Sequence, residues 1–262
     1  TQSLNIFDKI GDKFHKAEIL RSIGILNSNL MNTCYRSNDS ELAIQYQQLA
    51  LDYYKRSFII EKELGNKNGQ AIALNNIGSM YGLNHDYNNA LNIFRESLDL
   101  FTSNSIKVGM VYKNIAGCYY YLGNYEKSFE NSSKALEIFI KLKHEKDIWK
   151  SYKDQAKINY QLQKYNETIK YCSLFENNLG KSLETSIYKY LANIELFGES
   201  NIEEVTEILN EYNGKNYDIS YYLYKIYNNH KYIDSAYFEI KNIADEINDK
   251  NSFLSYPIPK AI

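Results

Sequence analysis

Amide and carboxylate side chains recur at matching positions of a repeated sequence pattern. Asn76, Asn114 and Asp154 each lie two positions before a small residue in successive copies of the pattern, and Ser22 holds the corresponding upstream position. A side-chain amide can donate a hydrogen bond to a peptide carbonyl and accept another from a peptide N–H. A row of such groups can hold an extended backbone whatever its side chains are. We therefore predict that Asn76, Asn114 and Asp154 contact a bound peptide.

Lysine side chains are expected beside this row. Lys153 and Lys157 are four positions apart and Lys150 is three before Lys153, which places them on one face of a helix. Together with Lys113, these ammonium groups could accept the C-terminal carboxylate or the acidic side chains of a peptide. The alternative is that they are solvated surface charges, as lysines on helices commonly are.

Three tyrosines complete the predicted binding surface. Tyr120, Tyr121 and Tyr160 would supply flat apolar walls for the side chains of a ligand. The alternative is that their rings pack between helices, because the chain contains 26 tyrosines and most follow a helical period. Both interpretations remain open from the sequence.

The elements that must position these side chains are visible in residues 70–139. This segment contains two successive copies of one pattern, and each copy has two helical periods separated by a short polar turn. Small residues at Gly78 and Ala90 would let the two helices of a hairpin approach closely. The two copies read QAIALNNIGSMYGLNHDYNNALNIFRESLDLF and VGMVYKNIAGCYYYLGNYEKSFENSSKALEIF.

The order of large, small and aromatic positions in both copies resembles the tetratricopeptide (TPR) repeat. The resemblance implies an all-α fold, a right-handed superhelical solenoid of TPR-type helical hairpins in which the first helix of each hairpin lines the concave face. With 2 Pro and 12 Gly in 262 residues, there is little to interrupt helices. We expect residues 1–248 to form about six hairpins.

The two ends of the chain depart from this regular pattern. Gly24 and Ala50 are more than twice as far apart in sequence as Gly78 and Ala90, so the first hairpin is expected to be extended. Either longer helices or a turn at residues 37–40, where Asp39 or Ser40 would cap a helix, could extend it. Residues 3–7 resemble the end of a second helix, which predicts that the N-terminus is truncated within a repeat. Residues 249–262 contain both prolines and are expected to form a non-helical tail, either extended against the last helix or without fixed structure.

Composition and motifs argue against several classes of function. The formal net charge is −2, which does not favour nucleic acid as a partner, and the chain lacks an apolar run long enough to cross a membrane, so no membrane span is expected. The sequence contains no known catalytic motif or metal-ligand spacing, so we expect no catalytic residues, metal or cofactor. Three widely spaced cysteines are expected to be buried reduced thiols, which favours a cytoplasmic protein.

From residue 75 onward, the chain also resembles the repeat domains of the Rap and NprR-like (RRNPP) receptors for short signalling peptides. The stretches that carry this resemblance are LNNIGSMYGLNHDYNNALNIFRESLDLF, YYYLGNYEKSFENSSKALEIF, IYKYLANIELFGESNIEEVTEILNEYN and YKIYNNHKYIDSAYFEIKNIADEI. The resemblance implies a cytoplasmic quorum-sensing receptor, in which Asn76 and, by register, Asn114 hold the peptide backbone. A homodimer is left open. The alternative is a TPR scaffold that docks proteins within a larger bacterial sensor or regulator.

Overall fold

The structure, a computed structural model, describes residues 6–7, 9–37, 39–103, 105–209, 217–246 and 253–258. Over these residues it contains helices and no strand, as predicted for an all-α chain. None of the described helices is long and apolar enough to cross a lipid bilayer. In the described ranges, the helices of seven or more residues are α1 (Lys13–Arg36), α2 (Ser40–Glu63), α3 (Lys67–Leu83), α4 (Tyr87–Leu100), α5 (Ile106–Tyr121), α6 (Tyr125–Lys141), α7 (Glu145–Gln161), α8 (Tyr165–Leu179), α9 (Leu183–Phe197), α10 (Glu203–Leu209), α11 (Tyr217–Tyr227) and α12 (His230–Glu246).

In several of the turns between helices, the side chain of the residue before the helix caps its first turn. The Asn66 side chain accepts a hydrogen bond from Gly69 N–H at the start of α3, and Asp86 does the same for Asn89 at the start of α4. These side chains satisfy backbone donors that the first helical turn leaves unpaired. Asp12, Asp39 and Asn124 have the same role for α1, α2 and α6.

The chain forms two compact units, Thr1–Val111 and Tyr112–Ile262. In the first unit, α1 and α2 pair as an extended hairpin of two 24-residue helices, whereas α3 and α4 have 17 and 14 residues. The sequence left open whether longer helices or a turn at residues 37–40 extend this hairpin. The structure has both, since the two helices are longer and Asp39 caps α2 shortly after the turn at Ser37. The helix end expected at residues 3–7 lies mostly outside the described residues.

Glycines on the leading helices of the first unit allow an aromatic ring to rest on the backbone. A Cβ atom on Gly24 would lie 2.5 Å from Tyr54 Cε1, and one on Gly78 would lie 2.7 Å from Phe94 Cε1. No real side chain tolerates such distances, so each hairpin requires glycine for close packing. A buried serine completes the repeated contact: Ser97 Oγ donates to the carbonyl of Ala71 over 2.8 Å.

The second unit begins within α5 and contains α6, hairpins α7/α8 and α11/α12, α9 and the short helix α10. Its core is rich in tyrosine and leucine, and its buried members include Tyr188, Leu191, Val205 and Tyr222. Although the sequence predicted a tail without helix, residues 253–254 and 257–258 are helical. The rings of Phe253 and Tyr256 are buried and meet edge to face, with centroids 5.9 Å apart. Two aromatic anchors therefore fix the described part of the tail.

Candidate functional site

Asn76 lies on α3 of the first unit, and its side chain is half-buried. Its Nδ2 atom is shielded from solvent and has no hydrogen-bond partner within the described part of the chain. A buried polar atom left unpaired costs roughly 1–3 kcal/mol, and folded proteins retain few of them. A bound carbonyl oxygen would satisfy this donor.

Asn114 lies on α5 of the second unit and is also half-buried. Its neighbour Lys113 places Nζ 3.4 Å from Oδ2 of Asp154 on α7. The exposed fractions of the Lys113 and Asp154 side chains are 32% and 34%, although the Asp154 Oδ2 atom itself is shielded from solvent. Two of the predicted residues, Lys113 and Asp154, therefore form an ion pair with each other.

The other predicted lysines differ in how they are held. Lys153 Nζ lies 2.5 Å from Glu184 Oε2, and Lys157 Nζ lies 3.0 Å from Asp218 Oδ2. Lys150 is exposed, and no carboxylate pairs with it over the residues that the structure describes. A ligand carboxylate would therefore compete with Glu184 and Asp218 at two of these lysines, which is a correction to the expected cluster of available cations.

Lys157 is the buried electrostatic centre of the second unit. Its Nζ lies 4.2 Å from the ring centroid of Tyr120 and 5.0 Å from that of Tyr121, in addition to its salt bridge with Asp218. Burial disfavours the ammonium charge, but attraction from Tyr121, Tyr120 and Asp218 outweighs it, and the pKa of Lys157 is raised well above its usual value. Lys157 is therefore charged at neutral pH and fixes both tyrosine rings.

The three predicted tyrosines have different environments. Tyr160 lies in the core, where its ring packs against Tyr165, Tyr188 and Tyr222 at centroid distances of 5.8, 5.5 and 6.0 Å. This corrects the expectation that Tyr160 forms the wall of an open pocket, because core rings surround it. Burial also raises its pKa.

Tyr120 and Tyr121 do line a concave surface. Their rings meet edge to face with centroids 5.5 Å apart, and Gln161 Nε2 donates to Tyr120 Oη over 3.0 Å and also to Tyr222 Oη. Burial raises the pKa of Tyr120 well above its usual value, so its hydroxyl is neutral at physiological pH. The remaining cavity is about 10 Å³, room for about one water molecule.

The C-terminal tail covers this surface. Tyr256, Pro257 and Ile258 line the cavity opposite residues that include Tyr125 and Asp218. The tail was expected to lie against the last helix or to lack fixed structure; in the structure, Pro257 of the tail lies against Gly123 in the turn between α5 and α6. The repeat pattern assigned Gly123 to the turn of its repeat and did not predict this contact; the available signal is a glycine where the neighbouring hairpins have His85 and Gln163. Metal-binding clusters of three or more His, Cys, Asp or Glu residues are absent from the described ranges.

Comparison with known proteins identifies structural likeness only. No protein-family model matches the chain, and no curated protein matches it. A crystal structure of nearly identical TPR-like repeats from Podosopora anserina, described as kinesin light chain and carrying one substitution, is 13% identical and has a TM-score of 0.54, over 81% of this chain and 98% of that chain. The same repeats without the substitution give 13% identity and a TM-score of 0.53, over 81% and 99%.

A third structure, BtubC (BKLC) from P. vanneervenii, is 15% identical, with a TM-score of 0.47 over 74% of this chain and 89% of that chain. The repeated hairpins, their glycine and aromatic contacts and their polar caps agree with the likeness to the Podosopora anserina repeats. The chain therefore has an all-α fold of TPR-type helical hairpins.

Proposed function

We propose that the chain is a non-catalytic module that binds an extended segment of a peptide or partner protein along the leading helices of its hairpins. The observation that carries this proposal is the buried Nδ2 atom of Asn76, which has no hydrogen-bond partner in the described residues. An extended peptide supplies a carbonyl acceptor at every residue, and the TPR-type fold presents leading helices to such ligands. Asn114 would make the equivalent contact in the second unit.

The finer form of the proposal is an intracellular receptor for a short signalling peptide, as in quorum sensing, that regulates a partner protein. Lys150 is the lysine best suited to a free C-terminal carboxylate because it is exposed. Lys113, Lys153 and Lys157 would instead set the position of Asp154, Glu184 and Asp218 around the ligand. A protein-docking scaffold is the alternative, and it would bind internal segments that lack a free carboxylate.

A random heptapeptide library, synthesised with free and with amidated C-termini, provides a direct test. Heptapeptides selected on the wild-type chain are labelled, and their dissociation constants are measured by fluorescence anisotropy. Asn76→Ala should weaken the binding of peptides held by the first unit about fivefold, because one hydrogen bond of about 1 kcal/mol is lost, and Asn114→Ala should do the same for peptides held by the second unit. Unchanged affinity in both variants would remove the asparagine contacts from the proposal.

The matched control is the Asn88→Ala/Asn166→Ala variant. Both asparagines are exposed, one lies in each unit, and both are on the second helix of a hairpin. This variant should bind the selected peptides as the wild type does. A preference for free over amidated C-termini that disappears in Lys150→Ala supports the signalling-peptide form, whereas equal binding of both forms supports the scaffold.

A further inference from the structure

Within the second unit, the tail of the chain contacts a glycine at a turn where the neighbouring hairpins have other residues. Gly123 has a left-handed φ of +75° in the turn between α5 and α6. The corresponding turns of the neighbouring hairpins place His85 and Gln163 at the same position, each with a φ of +58°. Left-handed backbone at this turn is therefore compatible with a side chain.

The contact at Gly123 explains the difference. A Cβ atom at this position would lie 2.7 Å from Pro257 Cγ, closer than real side chains approach. By contrast, a Cβ atom on the left-handed Gly65 or Gly198 would meet nothing within 4 Å. The ring of Pro257 thus occupies the space that a side chain at position 123 would fill.

The surface beneath the tail has the chemistry of a binding site for a short apolar segment. Tyr120, Tyr121 and Tyr125 supply aromatic walls, and the side chain of Ile258 packs against the core cluster of the second unit. Tyr256 is 7% exposed and Phe253 is fully buried. Proline and aromatic residues pair well in such sites because the rigid pyrrolidine ring loses little conformational entropy on binding.

We infer that Tyr120, Tyr121, Gly123 and Tyr125, here called the tail site, bind an aromatic–proline–aliphatic segment and that Tyr256-Pro257-Ile258 occupies the tail site in cis. A partner segment of the same chemistry must displace the tail to bind. This inference rests on the proposed function, since it names the sequence class that one part of the binding surface accepts. The tail then sets a threshold of ligand concentration below which the tail site stays closed.

The probe for this inference is a labelled peptide with the sequence of residues 252–262, SFLSYPIPKAI. The host is the full chain carrying Tyr256→Ala and Pro257→Ala, which vacates the tail site. Suppose that the tail binds the tail site with a dissociation constant of about 0.1 mM and that tethering holds it at an effective concentration of about 1 mM. It then raises the apparent dissociation constant of a competing ligand roughly tenfold. The probe should therefore bind the double variant about tenfold more tightly than it binds the wild type. Equal affinity for both would overturn the inference.

Position 123 provides the site variant. Gly123→Asn in the double-variant background should abolish probe binding, because its Cβ atom takes the place of the proline ring. Gly198→Asn is the control, since it also puts asparagine at a left-handed glycine of the same unit but meets no atom within 4 Å. Asparagine tolerates left-handed backbone better than most residues. Equal binding by the two variants would contradict the assigned site.

Hydrogen exchange on the wild-type chain decides the question if the variants do not fold. Excess unlabelled probe should accelerate exchange at the amides of residues 253–256, whereas a peptide of the same composition in scrambled order should not. Unchanged hydrogen exchange at these amides in the presence of millimolar probe would contradict the inference. Selected heptapeptides could bind through Asn76 without changing hydrogen exchange at residues 253–256. That result would support the proposed function and would exclude the tail site from it.

Discussion

A Cβ atom on Gly78 would lie 2.7 Å from Cε1 of Phe94, so the Phe94 ring rests directly on the backbone of α3. The equivalent contact joins Gly24 and Tyr54 in the first hairpin. This pairing of a small residue on the leading helix with a ring on the following helix defines how closely the two helices of each hairpin approach. It is the packing that the TPR-like sequence pattern encodes.

Gly78→Ala should therefore destabilise the chain even though alanine is the better helix former. We expect a loss of about 1–3 kcal/mol, the usual cost of forcing extra volume into a packed core. Gly82→Ala in the same helix is the control, because its Cβ atom would meet Ala90 Cβ at an ordinary 4.0 Å. That variant should be neutral or stabilised by up to about 1 kcal/mol. Urea unfolding followed by circular dichroism measures both, and equal stability of the two variants would contradict the packing argument.

The buried pair Lys157 and Asp218 should respond very differently from an exposed pair. The exposed fractions of their side chains are 17% and 5%, so Asp218→Asn leaves a buried ammonium without its counter-charge. We expect this change to cost about 3–5 kcal/mol in unfolding free energy. Glu167→Gln, which breaks an exposed pair with Lys170, should cost less than about 1 kcal/mol. Comparable losses in both variants, measured by urea unfolding, would show that burial does not govern this interaction.

His85 predicts a pH dependence of stability. Burial lowers its pKa to about 4, so the folded state binds a proton less readily than the unfolded state does. Its contribution is present above the unfolded pKa of about 6.5 and is lost as the pH falls towards 4. The wild type should lose about 1–2 kcal/mol between pH 7 and pH 5 from this source, after allowance for the partly exposed ring.

His85→Asn is the variant that isolates this effect, because asparagine accepts the left-handed φ of +58° at this position. Its unfolding free energy should change less between pH 7 and pH 5 than that of the wild type. An identical pH profile for both proteins would assign the loss to other groups.

The three cysteines should be unreactive in the folded chain. Cys34, Cys118 and Cys172 are free thiols and are 8%, 5% and 0% exposed. Burial also raises the pKa of Cys118 to about 12, which suppresses the reactive thiolate. Ellman's reagent should label the native chain slowly and release three equivalents in guanidinium chloride. Rapid labelling of one equivalent in buffer would show that one of these helices opens readily.

The local sequence pattern was enough to predict the hairpins. The helical period, the turn residues and the small residues that determine a hairpin all lie within a single repeat. It predicted Asp39 or Ser40 as a cap, and in the structure Asp39 accepts from Leu42 N–H. The partners of Lys153 and Lys157 could not be predicted in this way. Glu184 and Asp218 lie 31 and 61 residues away, on other helices. Register along a repeat gives the direction of a side chain but not the charge that a distant helix brings to it.

Asn76 should show opposite effects on stability and binding. Its Nδ2 atom is buried without a partner in the residues described, so Asn76→Ala removes an unsatisfied donor and should leave the unfolding free energy unchanged or raise it by about 1 kcal/mol. Asn66 on the same hairpin is the contrast, because it accepts from Gly69 N–H and donates to Glu61 over 2.8 Å. Asn66→Ala should cost about 1–2 kcal/mol, as lost helix caps do. Thermal unfolding separates these outcomes, and a large destabilisation in Asn76→Ala would mean that the amide supports the fold rather than a ligand.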